Sequence, residues 1–176
     1  MNGTLTITGG TFTAPTASGA LLLSGAVTIS GSPTFTHNSG TITFDSAAAS
    51  QTFTTNGVAL NNLTMNLTSG TAANDNLVVS GALDIDGTLT ITDGELKLDT
   101  NNPSIATSGN VSIASAGSVT KGAGTWVFDG SGASSLAANS QDLGVVTIDG
   151  TAKTIQLATN PFTTTTLTIG ADDTLE

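Results

Sequence analysis

Apolar and polar residues alternate along most of this chain: Leu5 and Ile7 stand between Thr4, Thr6 and Thr8, and Leu83 and Ile85 alternate with Asp84 and Asp86. A period of two belongs to a strand with one buried face. The runs are about four to seven residues long and end in Gly, Asn, Asp or Ser, the residues that turn a chain. Apolar residues at helical spacing are nowhere sustained. The pattern therefore predicts an all-β chain with essentially no helix.

The pattern is also written twice. Gly3-Thr4-Leu5-Thr6-Ile7-Thr8 returns letter for letter as Gly87-Thr88-Leu89-Thr90-Ile91-Thr92. At the same offset Ser24-Gly25, Val27 and Ile29 return as Ser108-Gly109, Val111 and Ile113, and Gly40-Thr41 and Phe44-Asp45 as Gly124-Thr125 and Phe128-Asp129. The copies drift after Asp129. Leu60, Leu63 and Met65 match Leu143, Val146 and Ile148 with a one-residue slip, and Leu83 and Ile85 meet Leu167 and Ile169 in the first register. Divergence over a kept core is what exposed turns tolerate. The chain reads as one continuous solenoid over 1–176, with internal repeats 3–86 and 87–170 and the start of a third copy at 171–176. It is taken as an excerpt from a longer array.

Apolar anchors near Leu5, Val27, Phe44, Leu63 and Leu83 are spaced by about 20 residues, the scale of a solenoid coil. The fold expected is a parallel, right-handed β-helix, or β-solenoid, of about four coils per copy and eight in all, a rod near 40 Å long at about 4.8 Å per coil. Burying a Leu or Ile is worth about 1.5–3 kcal/mol, while ordering the backbone costs about 1–2 kcal/mol per residue. A lone coil cannot hold itself, but stacked coils share ladders and core. The alternative is a tandem pair of immunoglobulin-like sandwiches, since a copy approaches that size. Against it, a sandwich carries a buried aromatic landmark in each domain, whereas Trp126 stands where the first copy has Ile42.

Composition narrows the functions. There is no cysteine, which excludes disulfides and thiolate metal sites. The chain holds 13 acids against three lysines (Lys97, Lys121, Lys153), with no arginine and a single histidine, His37. Nucleic acid is thus an unsuited partner, because phosphate binding needs clustered Lys and Arg. The absence of tyrosine and the single Trp126 argue against a stacking face for bases or sugars. No segment approaches the roughly 20 apolar residues of a membrane span. The N-terminus carries no basic region followed by an apolar run.

Several residues could still carry chemistry. Asp84 and Asp86 lie on one strand face, and Asp172-Asp173 follow later; paired carboxylates can cleave glycosides. The favoured reading is a solvated outer face, with His37 solvated in the turn Thr36-His37-Asn38-Ser39 and Thr120-Lys121 in the matching stretch of the second copy. Asn74-Asp75-Asn76, with Asp84 and Asp86, offers hard oxygens to calcium, the one cofactor candidate, although no calcium nonapeptide or EF-hand loop occurs. The pairs Thr4/Thr6, Thr11/Thr13, Thr41/Thr43 and Thr88/Thr90 would form an ice-binding face if they stacked in ranks. A carbohydrate-binding or carbohydrate-cleaving groove would gather around Trp126, Lys121 and Asp129. Gly122, Gly124, Gly130 and Gly132 lack the Lys and Ser/Thr of a phosphate loop and read as turn glycines.

The run Gly40-Thr-Ile-Thr-Phe-Asp45, Gln51-Thr-Phe53, Leu60-Asn-Asn-Leu-Thr-Met-Asn66 and Gly81-Ala-Leu-Asp-Ile-Asp-Gly-Thr-Leu-Thr-Ile91 resembles repeats of large bacterial surface and adhesin-like proteins. Those repeats are similar to the β-helical shafts of filamentous haemagglutinins and autotransporter passengers. The resemblance covers nearly the whole chain and implies an extracellular, rod-forming segment. It carries over no catalytic, cofactor-binding or metal residue. The expectation is a non-enzymatic structural module at the bacterial surface. Its partners would be flanking repeats, further copies of itself stacked end to end, or cell-surface glycans.

Overall fold

The computed structural model describes residues 1–47, 50–70, 75–158 and 160–176. Strands occur at the positions where apolar residues alternate with Thr, Asn or Asp, and the chain turns where Gly, Asn and Ser cluster. The first coil comprises β1 (Leu5–Ile7), β2 (Thr11–Thr13) and β3 (Ala20–Leu23). The second holds β4 (Val27–Ile29), β5 (Thr34–Thr36) and β6 (Thr41–Ser46), and the third β7 (Gln51–Thr54), β8 (Ala59–Leu60) and β9 (Asn62–Leu67). The fourth contains β10 (Asn76–Ser80), β11 (Leu83–Ile85) and the first half of β12 (Leu89–Lys97). β12 bends into the fifth coil, which continues with β13 (Ile105–Thr107) and the first half of β14 (Val111–Thr120). β14 bends likewise into the sixth, followed by β15 (Thr125–Phe128) and β16 (Ser131–Ala137). β17 (Val145–Ile148) and β18 (Thr151–Leu157) belong to the seventh coil, β19 (Thr166–Ile169) and β20 (Thr174–Leu175) to the eighth.

Each coil thus lays one strand or bridge on each of three walls, and every ladder among the described residues is parallel. This is the stacked β-solenoid of about eight turns, and the sandwich alternative, which needs antiparallel sheets, falls. β12 and β14 run through the corner between the third and first walls, so those two walls form one 12-stranded sheet. The second wall is a two-stranded sheet, β2–β5, and a six-stranded one from β8 to β19. The length of chain spent per coil is not constant: Asn76 pairs with Glu95, whereas Leu63 reaches its partner only at Leu89. Only corners absorb that difference.

The inward files are continuous. On the third wall Leu21, Ile42, Leu63, Leu89, Val111 and Leu136 stack in register, and beside them Leu23, Phe44, Met65, Ile91 and Ile113. From Ile42 onward these side chains are buried, and the Phe44 ring tilts against Phe53 with centroids 5.3 Å apart. At about 25 cal/mol per Å² of apolar area, these files are the main force holding coil to coil.

The internal repeat keeps this inward phase but not the wall. Leu5 and Ile7 lie on the first wall of the first coil, Leu89 and Ile91 on the third wall of the fourth. The copy has therefore advanced eleven walls, three and two-thirds coils. Thr41–Phe44, on the third wall of the second coil, and Thr125–Phe128, on the second wall of the sixth, are related in the same way. So Trp126 and Ile42 share an inward phase on different walls.

Corners carry a recurring asparagine. Asn38, Asn56 and Asn139 have φ of 49°, 51° and 51°, the left-handed region that Asn tolerates. Each carboxamide then donates to a carbonyl one coil back: Asn38 Nδ2 to Ala14 O at 3.1 Å, Asn56 Nδ2 to Gly31 O at 3.1 Å and Asn139 Nδ2 to Ala114 O at 3.0 Å. The same residue makes the turn and ties the turn to the stack.

Candidate functional site

A polar cluster lies at the corner between the second and third walls. Ile85, Thr107, Phe128 and Ile148 stack at the end of the second wall, so Asp86, Ser108, Asp129 and Asp149, one residue further on, succeed one another along this corner. Ser108 Oγ donates to Asp129 Oδ1 at 2.7 Å. Lys153 takes an inward position on β18, in register with Gly132, and is wholly buried. Its Nζ donates to Ser134 Oγ at 2.7 Å and to the Ser108 carbonyl, to which Ser134 Oγ also donates at 3.1 Å. Burial pulls the Lys153 pKa down, and the nearby Asp129 and Asp173 carboxylates pull it partly back.

An amine beside a hydroxyl is the pairing that activates a serine nucleophile. Here Ser134 is 6% exposed and Lys153 0%, so no substrate reaches the hydroxyl. The arrangement is a clip between coils. Lys153 was not singled out from the sequence, although its place two residues before Ile155 in an alternating strand puts it on the inward phase.

The predicted carboxylates divide. Asp84 is half-buried on the outer side of β11, and burial first, then Asp86 and Asp129, holds its pKa above the usual value. Asp86 faces His37 Nε2 at 3.3 Å, two coils away. His37 stays half-exposed in its turn, where Nδ1 accepts from the Ser39 amide at 3.1 Å. Lys121, which occupies the place of His37 in the second copy, pairs with Asp142, and that contact together with the Gly144 amide holds the Asp142 carboxyl below its usual range. Asp172 and Asp173 face the preceding coil. Asp173 accepts from the amides of Gly150 at 3.1 Å and Lys153 at 2.8 Å, and Asp172 from Ala152 at 3.0 Å.

The other candidates do not converge either. Trp126 is 1% exposed and lies in the core, while Lys121 and Asp129 sit at opposite ends of its wall. Asn74 lies outside the described residues. Asp75 is buried and accepts from the Ser69 amide at 2.6 Å, and Asn76 opens β10. Among the described residues, no three His, Asp or Glu come together as a metal site. The four Thr pairs fall on three walls; Thr11 and Thr13 stack on Thr34 and Thr36, and two longer files stay in register, Thr6, Thr28, Thr54 and Ser80 on the first wall and Thr43, Thr64, Thr90 and Ser112 on the third. Gly122 and Gly124 lie in close backbone contact with Leu98 and Pro103, and Gly130 and Gly132 have φ of 74° and 70°, which accounts for all four without a ligand.

No helix among the described residues is long and apolar enough to cross a membrane. No family model, no curated protein and no solved structure matches the chain.

Proposed function

We propose that this chain is a non-catalytic structural repeat module of an extracellular bacterial surface protein, serving as a rigid rod or stalk. The observation that carries this reading is the continuous core through about eight coils, combined with the disposition of the reactive groups. Lys153 and Ser134 are closed off, Asp172 and Asp173 hold backbone amides, and Trp126 is core. The resemblance to β-helical shafts supports the same reading.

Small-angle scattering and a polysaccharide panel test it together. A particle about 40 Å along the stack, at about 4.8 Å per coil, with no glycan bound and no new reducing ends, is the expected result. Turnover abolished by Asp84→Asn or Asp86→Asn would replace the rod with an enzyme. Surface placement is tested by antibody labelling of intact cells that make the parent protein; labelling only after lysis would overturn it.

A second reading, an ice-binding threonine face, rests on the file Thr43, Thr64, Thr90 and Ser112. A thermal-hysteresis measurement decides it. No freezing-point gap would remove it.

A further inference from the structure

We propose that Asn110 is an N-glycosylation site, its carboxamide nitrogen taking a sugar on the outer side of the third wall. This rests on the extracellular reading above, since the chain must meet a glycosyltransferase on its way to the surface. The acceptor signal is Asn-x-Ser/Thr with x other than Pro. Three such triplets begin along the third wall: Asn62-Leu63-Thr64, Asn66-Leu67-Thr68 and Asn110-Val111-Ser112. A fourth, Asn2-Gly3-Thr4, precedes β1, and Asn102-Pro103-Ser104 is barred by its proline.

The fold separates the three. At Asn62 both ends of the carboxamide are engaged: Nδ2 donates to Asn61 Oδ1 at 2.9 Å, and Oδ1 accepts from the Thr88 amide at 2.8 Å. Asn66 is half-buried between its ladder partners Asp45 and Asp93, two carboxylates that repel an anionic sugar donor. Asn110 is exposed, at the corner where the chain enters β14. Its Oδ1 accepts from the Ser135 amide of the next coil at 2.9 Å, and only the oxygen can take that proton, so Nδ2 is the end left free. Nδ2 makes no hydrogen bond among the described residues. Extended backbone then turns Val111 inward and Ser112 outward with Asn110, so the amide and the hydroxyl that a transferase reads together share one face. Ser112 stacks between Thr90 and Ala137, and neither charge nor bulk in that file crowds a sugar. In the transfer Nδ2 attacks the anomeric carbon of a sugar diphosphate. The N–C bond forms as the C–O bond to phosphate breaks; the diphosphate leaves with the electron pair, and one amide proton passes to a base of the transferase.

The test is mass spectrometry of the parent protein taken from the cells that make it. Cleavage after Lys97 and Lys121 releases residues 98–121, in which Asn110 heads the only acceptor triplet. This fragment is expected to carry the mass of at least one sugar residue, with fragment ions placing it on Asn110, while Asn62 and Asn66 stay bare. Asn110→Gln is expected to abolish the sugar. So is Ser112→Ala, which keeps the bond between Asn110 and Ser135, whereas Ser112→Thr preserves the signal and should retain the sugar. Circular dichroism checks that each variant keeps its strands. A bare Asn110, a sugar that survives Asn110→Gln, or equal modification of Asn62 overturns the proposal. Antibody labelling of the same cells separates the two readings, since a surface-labelled chain with a bare Asn110 keeps the surface protein while the site fails.

Discussion

Lys153, carried by the seventh coil, donates to the backbone carbonyl of Ser108 in the fifth, 45 residues earlier in the chain. Ser134 Oγ, in the coil between them, accepts from the same ammonium. One side chain ties three coils. Removing it in Lys153→Ala leaves a cavity and withdraws a donor from both oxygens, a loss of about 2–5 kcal/mol on the scale of large-to-small core changes. Lys153→Met fills the space without a buried charge and is expected to stay within about 1 kcal/mol of the parent. Equal losses for Ala and Met in urea unfolding would rule out the cavity account.

The same lysine sets a pH dependence of unusual sign. Burial lowers its pKa in the folded chain below the ordinary 10.5. Between the lowered value and 10.5 the unfolded chain binds more protons, so this group makes stability rise with pH across that window. Lys153→Met should remove the rise, which thermal melts at neutral and alkaline pH would show.

Asp84 works in the opposite direction. Its pKa is raised above 3.8 by burial, Asp86 and Asp129, so the folded chain holds the proton more tightly. That contribution is present in acid and lost as pH rises through the raised value. Asp84→Asn is expected to be the more stable chain at neutral pH, by a margin that narrows below pH 3.8. A margin independent of pH would contradict the assignment.

Trp126 reports on the core. At 1% exposure its emission should be blue-shifted and insensitive to iodide until the chain unfolds. Because Nε1 has no hydrogen-bond partner among the described residues, Trp126→Phe forfeits packing only, about 1–3 kcal/mol, the range for core volume changes. Iodide quenching in the native state would place the ring outside.

Glycines stand at several points where coils approach closely. A Cβ on Gly109 would stand 2.2 Å from Gly87 O, whereas one on Gly9 meets nothing within 4 Å. Gly109→Ala should cost about 1–3 kcal/mol, as overpacking does, and Gly9→Ala close to nothing. Comparable melting points for the two variants would show that the corner can yield.

Much of this fold was legible in the residues. The alternation of Leu5 and Ile7 with threonines gave strands and inward phase, because a two-residue period is local and needs no partner, and the anchors from Leu5 to Leu83, about 20 residues apart, gave the coil count. His37 with Asp86 and Lys153 with Ser108 were not legible. Each pair joins residues two coils apart, and which residues meet at that distance depends on how much chain every intervening corner consumes. The corners differ in this, as the partners Asn76 and Glu95 against Leu63 and Leu89 show, so no fixed spacing reveals the contacts.

The sequence by itself determined that the chain is all-β and internally repeated with apolar residues inward, since both the period of two and the recurrence of the block from Gly3 at Gly87 are written in residue types, while the parallel ladders of the structure decided for the solenoid over the sandwich. Only the tertiary structure decided that a coil has three walls and that the second copy is displaced by a third of a turn relative to the first. Wall identity is set by the summed angles of the corners, where Asn38, Asn56 and Asn139 adopt left-handed backbone, and an inward residue reads alike on any wall.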